Sequence, residues 1–298
     1  MKKNILIAGG TGFIGFHLAK KLKKLNFNVT CLSHKKPTKN RLVKNIHYLV
    51  CDVKKYNDLK KKLNKRYDYV FNFSGNIDHS NKLETQKTHY KGCQNLVKLF
   101  LKKKINLFVQ VGSSLEYGKL NSPQKENQIC RPVSFYGKSK LMASQYLKQV
   151  NKKSSFPFVV LRLYQIYGPK QKFDRLIPNV IKSCLKNQKF KCTEGTQKRD
   201  FLYIDDLINL LLKIMKTKKI KSGVYNVGSG SPTQIKFIIN CVIKKIKKGK
   251  PLFGKIKMRK DEIANLYPDV TKIKNNFKWK AKLSIIKGLH KTIKSYKI

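Results

Sequence analysis

The sequence predicts an α/β fold, a doubly wound parallel sheet followed by a smaller C-terminal α/β lobe. Three observations carry this expectation. Short apolar runs alternate with stretches of helical spacing through the first half of the chain. A glycine-rich turn joins the first run to the first helix. After Pro169 the alternation loosens into helical stretches with short strand-like pieces between them.

The elements follow in order. "NILIAGG" reads as the first strand, and "FIGFHLAKKLKKL" as a helix with Phe13, Phe16, Leu18, Leu22 and Leu25 on its apolar face. "NVTCLS" and "IHYLVCD" are the second and third strands, followed by a helix near residues 56–64. "YDYVFNFSG" is the fourth strand; a long helix near 84–104 then leads to the fifth, "LFVQVGSS". A helix over about 134–151 precedes "FPFVVLRLYQIYG", read as the sixth strand and its exit loop. Strand–helix alternation of this kind predicts parallel strands with helices on both faces. Beyond it, helices are expected near 174–187, 203–217 and 232–247, with "VYNVG" as a strand between the last two. No internal repeat is visible.

Composition bounds the rest. The chain has 298 residues, 41% of them hydrophobic, and a mean hydropathy of −0.46, which fits a soluble globular protein. No apolar run approaches the roughly 20 residues a membrane helix needs. The start, "MKKNILIAGG", has the lysines of a secretory signal, but its apolar stretch stops at a glycine pair; a cytoplasmic protein opening on a β-strand is expected. The seven cysteines are scattered without CxxC spacing, which fits reduced thiols and neither a disulfide framework nor a metal site.

The net charge is +52 and the pI about 10.2. A polyanion partner is one reading. Compositional drift is the other, because seven of the 67 basic residues are Arg and the lysines run from end to end. Drift leaves unexplained why the acids number 15. With no basic tail or helix set apart from the rest, no specific nucleic-acid partner is expected.

"GGTGFIG" places glycines at 9, 12 and 15 between a strand and a helix. Glycine allows a tight turn, close approach of backbone to a pyrophosphate, and close packing of helix on strand. The free amides and dipole at the helix start then hold the phosphates. This context makes residues 1–169 a Rossmann-type NAD(P)-binding domain, with Gly9, Thr11, Gly12, Phe13, Ile14 and Gly15 as cofactor contacts. Residues 170–298 are left as a substrate-binding lobe, with some exchange of elements between the two. Where an acid reads the ribose 2′-hydroxyl of NAD, the second strand ends in Ser33, with His34, Lys35, Lys36 and Arg41 nearby. That combination tolerates a 2′-phosphate, so either NAD or NADP fits. Asp52 and Val53, after the third strand, are placed to meet the adenine; an exposed loop aspartate is the plainer alternative.

"GGTGFIG", "GSSLEYG", "YGKSK" and "RDFLYIDD" occur in this order. With them the chain resembles the extended short-chain dehydrogenase/reductase family, in its NAD-dependent epimerase/dehydratase group acting on nucleotide sugars. The resemblance runs to the C-terminal "YPDVTKIKNNFKWKAKLSIIKGL". It implies that Tyr136 is the general acid/base, that Lys140 lowers the phenol pKa and binds the nicotinamide ribose, and that Ser113 orients the substrate oxygen. Ser114 is the adjacent alternative to Ser113. Lys140 lies one helical turn after Tyr136 and shares its face. An ordinary tyrosine, with a pKa of about 10, is a poor base near neutral pH, which is why an activator is expected.

The resemblance also implies that Arg199 and Arg259 contact a substrate diphosphate, for which arginine's planar fork is suited. A surface ion pair of Arg199 with Asp200 or Asp205 is the alternative. Gln165 stands where an asparagine contacts substrate, His89 where another asparagine is usual, and Ser74 and Gly75 where alanines are. Dehydratases of the group carry an acid one or two places after the Ser/Thr; here Ser114 and Leu115 fill those places and Glu116 comes one step late.

The resemblance therefore implies a nucleotide-sugar epimerase, with an NADPH-dependent 4-keto-sugar reductase as the alternative. A 4,6-dehydratase is disfavoured. The partner expected is a nucleotide-diphosphate sugar, with a homodimer through the helices that include the one bearing Tyr136. A non-catalytic dinucleotide fold that binds polyanions is the reading from a different class.

Overall fold

A computed structural model describes residues 2–75, 81–258 and 262–296. In chain order the first elements are β1 (Asn4–Ala8), α1 (Phe13–Lys24), β2 (Asn28–Ser33), β3 (His47–Val50), α2 (Tyr56–Lys62) and β4 (Tyr69–Asn72). Next come α3 (Lys82–Gln86), a π-helical turn (Lys87–Lys91), α4 (Gly92–Leu101), β5 (Leu107–Ser113), α5 (Phe135–Ser154) and β6 (Phe158–Leu163). Then follow β7 (Gln165–Tyr167), α6 (Leu176–Leu185), β8 (Lys189–Lys191), β9 (Lys198–Tyr203), α7 (Ile204–Lys216) and β10 (Gly223–Val227). The last are β11 (Pro232–Gln234), α8 (Ile235–Ile246), β12 (Lys250–Leu252), β13 (Asn265–Leu266), α9 (Thr271–Phe277) and α10 (Ile285–Lys294).

The central sheet has seven parallel strands in the order β10-β6-β5-β4-β1-β2-β3. Side chains alternate between its faces, as the pleat requires. Ile5 and Ile7 of β1 pack with Leu18 and Leu22 of α1 and with α7. Leu6 and Ala8 pack on the other face, with Leu59 of α2, Leu96 and Phe100 of α4, and Leu147 of α5. Both faces are covered, which is why strands such as "FVVLRL" are apolar almost throughout. The expected doubly wound sheet is present.

Three local differences from the sequence reading have physical causes. The apolar run after Pro157 is two strands: β6 lies in the central sheet, and β7 leaves it to pair with β9. Second, "VYNVG" supplies β10, which returns to the central sheet beside β6. Third, the helix expected over 84–104 runs without interruption over 82–101 but widens into a π turn at Lys87–Lys91, and Gly92 just after that turn lies against Val53. An added Cβ on Gly92 would sit 2.7 Å from the Val53 side chain.

Beyond the central sheet, β11, β9 and β13 form a small sheet joined by β7, and β12 pairs with β8. All seven cysteines are free. Among the described residues no helix is long and apolar enough to cross a membrane, and no cluster of His, Cys, Asp and Glu could hold a metal ion.

Candidate active site

The glycine turn leaves β1 at Gly9, whose φ of +81° is left-handed. The Gly9 and Gly10 amides both donate to the Leu32 carbonyl, at 2.8 and 3.2 Å, tying the turn to β2. A Cβ on Gly9 would meet the Phe73 backbone at 2.6 Å, and one on Gly15 would collide with the Gly9 carbonyl. Glycine at 15 therefore lets α1 sit directly on the turn. Gly12 caps α1 without a side chain, so the first-turn amides of Phe13, Ile14 and Gly15 have no intrahelical acceptor.

Ser33 ends β2 with its hydroxyl turned to the turn, 2.8 Å from Thr11 Oγ1 and accepting the Thr11 amide at 3.3 Å. His34, Lys35 and Lys36 are exposed. Arg41 donates to the Lys170 carbonyl at 2.5 Å and so bridges toward the exit of β7. Asp52 accepts the Lys54 amide at 2.9 Å, and Lys54 also pairs with Glu84. Val53 is buried against α4, where Asn95 donates to its carbonyl at 2.9 Å.

Ser113 is the last residue of β5 and the N-cap of a single 3-10 turn, Ser114–Glu116. Its hydroxyl accepts the Leu115 amide at 3.2 Å, and Glu116 Oε1 accepts the Ser113 amide at 2.9 Å. This reciprocal capping box fixes the turn. Ser134 caps α5 by accepting the Gly137 amide at 3.0 Å. A Cβ on Gly137 would collide with the Leu115 carbonyl, so glycine here lets the first turn of α5 lie against the Ser113 turn. That approach brings the Tyr136 phenol beside the Ser113 hydroxyl, near enough for it to act on the phenol. His89 meets the Tyr136 ring edge-on at 5.0 Å. Ser114 is buried beside Ser113.

Lys140 is buried, and its ammonium donates to the Val111 carbonyl at 2.9 Å, 5.7 Å from the centre of the Tyr136 ring. Burial lowers its pKa to about 8, against the opposing charge of Glu116. The Tyr136 phenol is raised above its ordinary value by burial; the neighbouring Ser113 hydroxyl and the Arg175 charge pull the other way. The resemblance implies a phenol lowered by Lys140 together with a positively charged nicotinamide; the protein groups alone leave it raised, and the ammonium's hydrogen bond goes to β5. Lys138 lies exposed over the Phe135 ring.

Two further residues stand next to this cluster: Glu116, read from the sequence only as an acid one step late, and Arg175, which the sequence reading did not single out. Glu116 is fully buried; besides the Ser113 amide, it accepts Ser144 Oγ and Arg162 Nε, each at 2.9 Å. The Ser113–Glu116 spacing is that of a capping box, which was the available signal. Arg175, at the start of α6, is near enough for its charge to act on Tyr136.

The remaining expected contacts are dispersed. Gln165 opens β7 and is exposed. Arg199 on β9 pairs with Glu262 and donates to the Lys198 carbonyl at 2.7 Å. Its alternative partner Asp200 is turned away and accepts the Ser229 and Gly230 amides at 2.6 and 2.7 Å. Adjacent strand residues face opposite sides, which separates the two. Arg259 lies outside the described residues.

Residues 5–228 match the model of the NAD dependent epimerase/dehydratase family. The CDP-abequose synthase of Salmonella muenchen is 26% identical, over 98% of each chain. The structure of a UDP-glucuronic acid 4-epimerase from Bacillus cereus, in complex with UDP-glucuronic acid and NAD, is 26% identical, with a TM-score of 0.90 over 99% of each chain. A UDP-glucose 4-epimerase from Thermotoga maritima, with UDP-glucose, has a TM-score of 0.92 at 23% identity, over 99% of this chain and 98% of that one. At that identity the likeness is one of fold.

Proposed function

The chain belongs to the NAD-dependent epimerase/dehydratase family, and from that premise we propose that it is an enzyme that epimerises a nucleotide-diphosphate sugar by reversible oxidation of a ring carbon. The observation that carries this reading is the placing of the Tyr136 phenol beside the Ser113 hydroxyl, one helical turn from the buried Lys140.

The glycine turn fits a dinucleotide. Its first-turn amides lack partners within the helix, and no side chain grows from Gly12 over them. NAD or NADP bound there would accept a hydride from the sugar carbon and return it. Asp52 and Val53 are the neighbours proposed for the adenine, and Ser33 for its ribose. The glycine turn and residues 1–169 form the cofactor half of the reading, and residues 170–298 the substrate half.

In this reading Ser113 holds the reacting sugar oxygen against the Tyr136 phenol. Tyr136, as the phenolate, takes the hydroxyl proton as the carbon is oxidised and, now the phenol, gives it back on reduction, so the proton balances over the cycle. Lys140 uses one N–H on the Val111 carbonyl and keeps two for ribose hydroxyls. Arg199 meets the substrate diphosphate, exchanging its contact with Glu262. Gln165 and Ser114 are the further substrate contacts, and a homodimer through the helices that include α5 belongs to the same reading.

A dehydratase is disfavoured, because the Glu116 carboxylate is bound by Ser113, Ser144 and Arg162 and so is not available to a sugar ring. One observation favours a 4-keto-sugar reductase as the second reading: β2 ends in Ser33 bonded to Thr11, with no carboxylate to oppose the 2′-phosphate of NADPH. Native mass spectrometry of the purified protein tests the pair. Retained NAD supports the epimerase; a site that fills only on adding NADPH supports the reductase. Binding of neither dinucleotide sinks both.

A further inference from the structure

A concavity about 590 Å³ in volume shares no residue with the Ser113–Tyr136–Lys140 cluster. Five of its eight lining residues are lysines, whereas Lys and Arg together make 67 of the chain's 298 residues. The groove is therefore far richer in charge than the chain as a whole. None of its lining residues is acidic, and no Asp or Glu occurs from residue 207 to residue 260.

The lysines converge from separate elements. Lys189 comes from β8, Lys244 from the last turn of α8, Lys247 and Lys248 from the turn after it, and Lys250 from β12. Lys189 and Lys250 are direct register partners in the β8–β12 pair. In this parallel pair the two side chains leave adjacent strands about 4.8 Å apart, and their like charges repel. The partial negative charge at the end of α8 accounts for Lys244 and Lys247 but not for this strand pair. The turn is also shaped: Gly249 has a φ of +87°, and its amide donates to Asn187 Oδ1 at 3.0 Å.

We infer that this groove is a binding site for a phosphate-dense linear anion of the polyphosphate type. Such a ligand would relieve the repulsion among the five lysines and release its counterions. The lining contains no arginine fork and no aromatic ring, so it lacks the means to read or stack nucleobases. It is concave, with the half-buried Ile243 as its one large apolar side chain, which does not suit a flat bilayer. The inference is independent of the proposed chemistry at Tyr136.

Binding of short-chain sodium polyphosphate to the intact protein, followed by calorimetry across about 50 to about 200 mM salt, tests it. The variant Lys244→Gln/Lys248→Gln/Lys250→Gln alters three exposed side chains. It should bind about tenfold or more weakly, with a salt slope shallower by about 2. A control, Lys60→Gln/Lys61→Gln/Lys152→Gln, removes the same charge from exposed positions on α2 and α5 and should stay within about twofold of wild type. Equal weakening of the two variants would overturn the site, because the affinity would then belong to the whole surface. Absence of polyphosphate binding by wild type would also overturn it. Tighter binding of oligouridylate or of phosphatidylserine vesicles would overturn the ligand class.

Discussion

Glu116 and Arg162 form an ion pair almost without exposed surface, Oε2 to Nε at 2.9 Å, directly behind the Ser113 turn. The same carboxylate accepts the Ser113 amide, so one buried charge holds both β6 and the residue proposed to orient substrate. Removing one partner of such a pair strands the other in a dry site. Glu116→Ala should therefore cost about 3–5 kcal/mol of stability. The urea midpoint reads this directly, and an unchanged midpoint would show that water reaches Arg162 in solution.

Lys140 gives a pH dependence. Its folded pKa, about 8, lies below the ordinary lysine value of 10.5. Between those two values the unfolded chain binds the proton and the folded chain has released it. This group's contribution to stability therefore rises with pH across that window. Activity moves the other way if the ammonium is required. The kcat/KM should fall above pH about 8, and Lys140→Arg should remove that limb. A profile that stays flat to pH about 10 would deny the ammonium its role.

Gly137 sets how closely α5 approaches the Ser113 turn. A methyl group there would collide with the Leu115 carbonyl, and backbone on both sides must give way. Gly137→Ala is expected to lose about 1–3 kcal/mol of stability. Turnover should fall more than the lost stability explains, because Tyr136 shifts away from Ser113. Retained activity in a folded variant would show that the helix start adjusts freely.

Ser33 decides the cofactor corner. With no carboxylate at the end of β2, wild type should bind NADH and NADPH within about tenfold of each other, which is about 1.4 kcal/mol. Ser33→Asp should weaken NADPH by about tenfold or more relative to NADH, since like charges then oppose each other at the 2′-position. Fluorescence titration of both dinucleotides measures it; an unchanged ratio would place the ribose elsewhere.

Much of this was legible in the sequence, for identifiable reasons. Strands buried on both faces announce themselves as apolar runs, and the glycines at 9 and 15 sit where a Cβ would strike backbone. The pairing of Ser113 with Tyr136 was readable as motif order. What was not readable depends on contacts far apart in sequence. The run after Pro157 does not say that its last residues will leave for β9. Lys140 is helically spaced from Tyr136, yet its hydrogen bond goes to Val111, which lies on another strand. Arg199 finds Glu262, 63 residues on, while the adjacent Asp200 turns away. Glu116 reads as a misplaced acid until Arg162 is seen to lie against it.

The proposed chemistry turns on a proton relay at Tyr136. Its most direct measurement compares wild type with Tyr136→Phe on UDP-glucose, UDP-glucuronic acid and their CDP and dTDP counterparts, with NAD, and follows the sugar protons by NMR. Wild type should convert at least one of them to its ring epimer. The variant should still bind that substrate and turn it over about 10²–10⁴-fold more slowly. Turnover by Tyr136→Phe within a few-fold of wild type would deny Tyr136 the proton relay.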